Sequence, residues 1–178
     1  MFGPYNKPML QGPLAFDLPD SGATETLGKA VAKSLPGADL GAVVHLRGEL
    51  GSGKTTCARA LLHALGVTAI VRSPTYTLVD TYSAPGLTCV HVDLYRVQTT
   101  TEVEELGLRD MTGPGYLMLV EWPEKGGLAV PPADLVLQLV YKGDSRAAAL
   151  GGATATGRGW LTKLAIDTSL APYVSNIT

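Results

Sequence analysis

Residues 48–55 read Gly48-Glu49-Leu50-Gly51-Ser52-Gly53-Lys54-Thr55, a full G-x-x-x-x-G-K-[ST] pattern. Its flanks constrain the fold around it. Ala42-Val43-Val44-His45-Leu46 is an apolar, strand-like run just before the loop, and Thr56 to Leu65 is a helix-like segment just after it. A strand, a glycine-rich loop and a helix in that order form a phosphate cradle. The glycines let backbone N–H groups turn toward a phosphate chain, and the helix N-terminus faces the same anion. Lys54 is placed to reach the β and γ phosphates, and the Thr55 hydroxyl to ligate Mg²⁺. Leu50, Gly51, Ser52, Gly53, Lys54, Thr55 and Thr56 are the nucleotide-binding candidates of this segment.

The rest of the chain reads as the frame for that loop. With 178 residues, 46% hydrophobic and 17% charged, it is long enough for one domain with a real core and too apolar to be disordered. A net charge of −2 argues against a stand-alone nucleic-acid binder. Cys57 and Cys89 form no C-x-x-C and no Cys/His cluster, so both are expected as reduced, buried thiols. The N-terminus is rich in Pro and Gly without an apolar signal core, and the aliphatic runs are far too short to span a membrane. The expectation is a cytoplasmic protein with no membrane partner.

Residues 1–13 are expected as a flexible arm, 14–156 as the domain, and 157–178 as a tail that packs on the domain or stays loose. Within the domain, Leu14 to Leu18 suggests a strand. Ala23 to Leu35 suggests a helix, with Ser21 or Thr24 as N-cap. Thr77 to Tyr82 and Thr88 to Asp93 read as a hairpin around Ser83-Ala84-Pro85-Gly86. Thr99 with Glu102 resembles a capping box for a helix through Leu106. Tyr116 to Val120 (YLMLV) reads as a buried central strand. Asp134 to Tyr141 and Arg146 to Leu150 read as a second hairpin. Hairpins beside crossovers imply a three-layer α/β sandwich with a mixed central sheet.

A phosphate loop needs an acidic partner for its metal, and two strand ends offer one. Glu121 follows YLMLV and is the first choice for a Mg²⁺ ligand, with Asp93 for water positioning or indirect metal contact. Ser73-Pro74-Thr75 lies beyond the loop helix, where a hydroxyl or N–H could sense the γ-phosphate, or where the chain simply turns. Trp122, next to Glu121, is either a stacking and partner contact or a lid on the core. His45, His63 and His91 are scattered and are assigned no role. Arg72 and Arg96 are weak candidates for transition-state charge.

Several blocks together resemble the TsaE (YjeE) family, the bacterial ATPases of the tRNA threonylcarbamoyladenosine pathway. They are Gly48 to Thr56, Ser73-Pro-Thr-Tyr-Thr-Leu-Val79, His91-Val-Asp-Leu-Tyr-Arg96, Glu104 to Gly107 with Asp110, and Val120-Glu-Trp-Pro-Glu-Lys-Gly126. The resemblance runs from about Leu18 to Arg146 and implies a P-loop NTPase-like fold. It implies phosphate and Mg²⁺ contacts by Lys54 and Thr55, a metal-ligand role for Glu121 and a catalytic role for Asp93. It places Leu18-Pro19, Asp20 and Thr24 by the nucleotide, with Arg146 a further nucleotide contact. The segment with Ser73, Thr75 and Tyr76, together with Trp122, is implied as the switch and partner surface. The implied cofactors are ATP and Mg²⁺. The implied partners are TsaD and TsaB, with tRNA met only through their complex, and the implied product is the modified adenosine in tRNAs that read codons beginning with adenine. Thr99-Thr100-Thr101 replaces the Asp-Pro common in the family, and Met111 and Cys57 stand where larger or aromatic residues are frequent. A small-molecule kinase and a non-hydrolysing nucleotide sensor share the loop. The chain has no Arg-rich lid of the kind such kinases carry.

Overall fold

Seven strands form one mixed sheet, in the order β1-β7-β6-β2-β5-β4-β3. The computed structural model describes residues 13–175. The strands are β1 (Leu14–Leu18), β2 (Ala42–Arg47), β3 (Val79–Ala84), β4 (Leu87–Asp93), β5 (Tyr116–Glu121), β6 (Leu135–Lys142) and β7 (Ser145–Gly152). The helices are α1 (Ser21–Lys33), α2 (Lys54–Ala64), α3 (Thr100–Glu105) and α4 (Ala155–Ala165). The strands β6, β2, β5 and β4 run parallel, while β7 and β1 at one edge and β3 at the other are antiparallel additions. The mixed α/β sandwich expected from the sequence is the observed architecture.

Alternation along the central strands assigns each face. Val44 and Leu46 of β2, Leu117 and Leu119 of β5 and Cys89 of β4 point to the side covered by α1, α2 and α4. Val90, Val92, Met118 and Val120 point to the other side, under α3 and short 3₁₀ turns. Both faces are dry, which is why β5 reads as an unbroken apolar run. The parallel block also fixes the site. The last residues of β2, β4 and β5 come together at one end of the sheet, where open α/β sheets bind ligands. Register pairs Asp93 with Glu121 and Leu46 with Glu121.

Local signals explain most element ends. Thr99 and Glu102 make a reciprocal capping box on α3, as the spacing predicts. The N-cap of α1 differs from expectation. It is Asp20, whose carboxylate accepts from Ala23 N at 2.8 Å, and the helix starts at Ser21 and ends at Lys33. A carboxylate satisfies the free N–H and also meets the positive helix end, so Asp20 outcompetes the hydroxyls. Strand β3 begins at Val79, two residues later than expected. Leu78 N closes a turn on Pro74 O, and Leu78 has φ +63°. The hairpin turn then needs only Pro85-Gly86, with Gly86 at φ +71°.

Of the arm expected over residues 1–13, all but Pro13 lies outside the described residues. Beyond residue 152 the chain forms α4 and a 3₁₀ segment, Thr168–Tyr173. Trp160 of α4 is 1% exposed and donates its indole N–H to Val31 O at 2.9 Å, binding α4 to α1. Asp167 meets Lys33 at 3.3 Å on the same flank. Among the described residues, no helix is long and apolar enough to cross a membrane.

Candidate functional site

The loop between β2 and α2 wraps around the ammonium of Lys54. Gly51 and Gly53 take φ +76° and +105°, angles that a side chain resists. A Cβ on Gly51 would also stand 2.5 Å from the Tyr141 hydroxyl. The left-handed turn at Gly53 lets α2 begin at Lys54, inside the loop motif rather than after it. The first turn of α2 therefore aims its unpaired N–H groups into the cleft.

Lys54 is 4% exposed. Its ammonium donates to Gly48 O and Glu49 O, both at 2.8 Å, and sits 4.1 Å from the centre of the Trp122 ring. Burial pushes its pKa below the ordinary lysine value, while the charges of Glu121, Asp93 and Glu124 pull the other way. The ring that meets it is held in an uncommon conformation. Trp122 has φ +58°, is 8% exposed and packs its ring 5.2 Å from that of Tyr95.

Two acids close the cleft. Thr55 Oγ1 donates to the Glu121 carboxylate, 2.9 Å from Oε1 and 3.0 Å from Oε2. His91 Nε2 lies 2.9 Å from Oε1. On the adjacent strand, Asp93 Oδ2 accepts from Ser73 Oγ and from Thr75 Oγ1, the latter at 3.0 Å. Its Oδ1 accepts from Tyr95 N at 2.9 Å. Asp93 thus fastens the 73–75 turn to the end of β4.

The resulting cleft has a volume of about 330 Å³. Of the residues expected at a site, Leu50, Gly51, Gly53, Lys54, Thr55, Thr56, Ser73, Thr75, Asp93, Glu121 and Trp122 line it. Others lie around it. Ser52 is fully buried under the loop. Thr24 is 1% exposed, and a Cβ on Gly53 would lie 3.3 Å from its methyl, so it packs beneath the loop. Asp20 is occupied as the α1 cap. Arg146 runs along the loop, with a guanidinium nitrogen 3.4 Å from Gly51 O. Tyr76 is 83% exposed and carries the Arg96 guanidinium 4.2 Å above its ring, outside the cleft lining.

Sequence reasoning missed three participants. Tyr95 lines the cleft. The Tyr141 hydroxyl donates to Leu50 O at 3.1 Å, bracing the loop from β6. His91 supports Glu121 from within the sheet. Only the last had a local signal. In a strand, His91 and Asp93 point to the same face, so the H-x-D spacing puts both beside the acid of the next strand.

The donor set fits Mg²⁺. Thr55, Glu121 and Asp93 offer oxygen alone, and among the described residues no group of three or more His, Cys, Asp or Glu could hold a metal unaided. A cation that takes one or two protein oxygens and completes its shell with phosphate and water suits such a site.

The family model of the threonylcarbamoyl adenosine biosynthesis protein TsaE matches residues 18–149. A Haemophilus influenzae protein named tRNA threonylcarbamoyladenosine biosynthesis protein TsaE is 42% identical over 104 residues, 58% of this chain and 66% of its own length. Proteins of the same name from Synechocystis and Bacillus subtilis are 38% and 37% identical, over 66% and 65% of this chain and 74% and 73% of theirs. The chain therefore spans just under two thirds of the Haemophilus relative and about three quarters of the other two. The crystal structure of Bacillus subtilis YdiB has the same fold, with a TM-score of 0.64 at 24% identity over 89% of this chain and 97% of that one. With the family model matching well over half of its residues, the chain belongs to the TsaE family.

Proposed function

We propose that this protein hydrolyses ATP with Mg²⁺ as a component of threonylcarbamoyladenosine formation in tRNA. One observation carries the reading. The Thr55 hydroxyl at the start of the phosphate-loop helix meets the Glu121 carboxylate at the end of β5, with Asp93 in register beside it.

In this reading, backbone N–H groups from Leu50 to Thr55 cradle the phosphates. Lys54 exchanges its two carbonyl partners for β and γ oxygens. Thr55 and Glu121 would hold Mg²⁺, which when bound would supply positive charge to neutralise the phosphates. Asp93 positions the attacking water. Loss of the γ-phosphate then alters the tie between Asp93 and the 73–79 segment, and with it the grip on a partner. The names of the relatives place them in the tRNA modification, and family resemblance points to TsaD and TsaB as partners. The modified tRNAs would be those reading codons that begin with adenine. The protein would drive turnover of that complex and would not itself transfer the threonylcarbamoyl group.

The test compares phosphate release by the protein alone and with the TsaD–TsaB heterodimer, alongside the modified nucleoside in cells. Slow release alone, a rise with the heterodimer, and loss of both activities in Lys54→Ala are expected. Fast release that partners leave unchanged would sink the coupling. A phosphorylated small product would point to a kinase, and tight ATP binding without release to a nucleotide sensor.

A further inference from the structure

The geometry points to His91 as the positioning residue that fixes the Glu121 carboxylate for Mg²⁺, an inference that rests on Glu121 being the metal ligand. His91 lies on β4 two residues before Asp93, and its ring reaches diagonally to β5. Nε2 stands 2.9 Å from Glu121 Oε1. Facing a carboxylate oxygen, Nε2 is the nitrogen that carries the proton, since two bare acceptors at that distance would repel.

The burial of this ring is what argues for a role. His91 is fully buried, and its Nδ1 has no hydrogen-bond partner among the described residues. Its neighbours on that face of the central strands, such as Cys89, Leu117 and Leu119, are apolar core residues. A leucine at position 91 would fill the layer without an orphaned polar atom. Burying a ring with one nitrogen unsatisfied costs stability, and such costs collect where function requires them. The only polar contact that this ring makes among the described residues is with Glu121.

That contact divides the carboxylate's two oxygens. Oε1 receives both His91 and Thr55, whereas Oε2 receives only Thr55. With Oε1 anchored from inside the sheet, turning the carboxylate would break the His91 contact, whereas Oε2 has Thr55 alone to hold it. Groups that orient a metal ligand in this way set metal affinity without touching the ion.

The test measures binding of a fluorescent ADP analogue with and without Mg²⁺, and Mg²⁺ titrations at saturating nucleotide. The proteins are wild type, Glu121→Ala, His91→Leu and His91→Gln. Glutamine keeps an N–H donor at the same reach. His91→Leu is expected to weaken Mg²⁺ about 10- to 100-fold while Mg²⁺-free nucleotide binding stays at the wild-type level. His91→Gln is expected to recover most of the loss. If Glu121→Ala abolishes the Mg²⁺ effect and His91→Leu keeps it in full, the role of His91 is overturned and the metal site stands. If Glu121→Ala keeps the Mg²⁺ effect, the metal-site reading itself falls. Should His91→Leu fail to fold, ¹⁵N histidine spectra of the wild type decide. A His91 ring with a bare Nε2, or one whose signals ignore Mg²⁺ added to the ADP complex, overturns the proposal.

Discussion

Thr55 Oγ1 bridges both oxygens of the Glu121 carboxylate, at 2.9 and 3.0 Å. The contact joins residues 66 positions apart and locks the first turn of α2 to the end of β5. Glu121 is 2% exposed, and its partner on the sheet side, His91, is fully buried with no water to replace the carboxylate. Glu121→Ala should therefore act twice. Leaving the fully buried His91 ring without an acceptor costs about 1–3 kcal/mol, visible as a lower melting temperature. Mg²⁺-dependent phosphate release should drop at least about 100-fold. Retention of Mg²⁺-dependent release in a folded Glu121→Ala protein would remove Glu121 from the metal site.

Lys54 is enclosed by two carbonyls and the Trp122 ring. Two carbonyls at 2.8 Å and one ring face suit the compact point charge of an ammonium, which a planar guanidinium fork does not reproduce. Lys54→Arg should therefore fail nearly as fully as Lys54→Ala, with phosphate release lowered about 10²- to 10³-fold in both. Single-turnover hydrolysis measures this. An arginine variant with wild-type rates would show that charge alone suffices.

Asp93 holds Ser73, Thr75 and the backbone of Tyr95 at once. Asp93→Asn removes one acceptor oxygen from this set but leaves the phosphate loop intact. Hydrolysis should fall about 10²- to 10⁴-fold, as for loss of a proton-transfer or water-positioning group. Hydrogen exchange over 73–79 should accelerate, because the turn loses its anchor. Unchanged exchange with lost hydrolysis would separate the chemical role of Asp93 from its hold on the segment.

What could be read from the sequence was local. The octet at 48–55 announces its own strand and helix, YLMLV announces a strand buried on both faces, and Thr99 with Glu102 announces a cap. Glu121 and Asp93 could be ranked because strand ends and an adjacent acid are sequence-visible. The braces were not legible. Tyr141 reaches Leu50 O only because β6 lies beside β2, an adjacency set by strand order rather than by spacing. Trp122 covers Lys54 through a left-handed backbone turn that its sequence neighbours do not betray. Helix α4 hides behind Gly157 and Gly159, which weaken any helical signal. Gly157 is required because a Cβ there would fall 1.8 Å from Asp134 O.

The same close-approach argument applies between α1 and α2. A Cβ on Gly28 would stand 2.4 Å from Cys57 O and 3.0 Å from the Ala60 methyl. Gly28→Ala must push the helices apart, and overpacking of this kind costs about 1–3 kcal/mol. In a chain of this size that lowers the melting temperature by about 2–4 °C per kcal/mol. Gly159→Ala is the control, since a Cβ on the exposed side of α4 meets nothing within 4 Å. It should leave stability unchanged or raise it by up to about 1 kcal/mol through its helix preference. Equal melting of the two variants would mean that α1 and α2 separate without penalty.

Cys57 and Cys89 are both free and fully buried. Burial, with a smaller contribution from the Glu121 charge, pushes the Cys57 thiol up to about 12 from an ordinary 9.0. Burial alone raises Cys89 to about 11. In the unfolded chain both ionise near the ordinary value, while the fold keeps them protonated. Their contribution is therefore whole below pH 9 and is lost as pH rises from there toward 11 and 12. By pH 10 the loss should reach about 1 kcal/mol per thiol. Urea unfolding of wild type should weaken more steeply between pH 8 and about 10 than that of Cys57→Ala/Cys89→Ala, where this source of pH dependence is gone. A maleimide should label neither thiol in the native protein and both in urea, because a buried protonated thiol is a poor nucleophile. Parallel stability curves for the two proteins would show that the thiols ionise in the fold as readily as in the open chain.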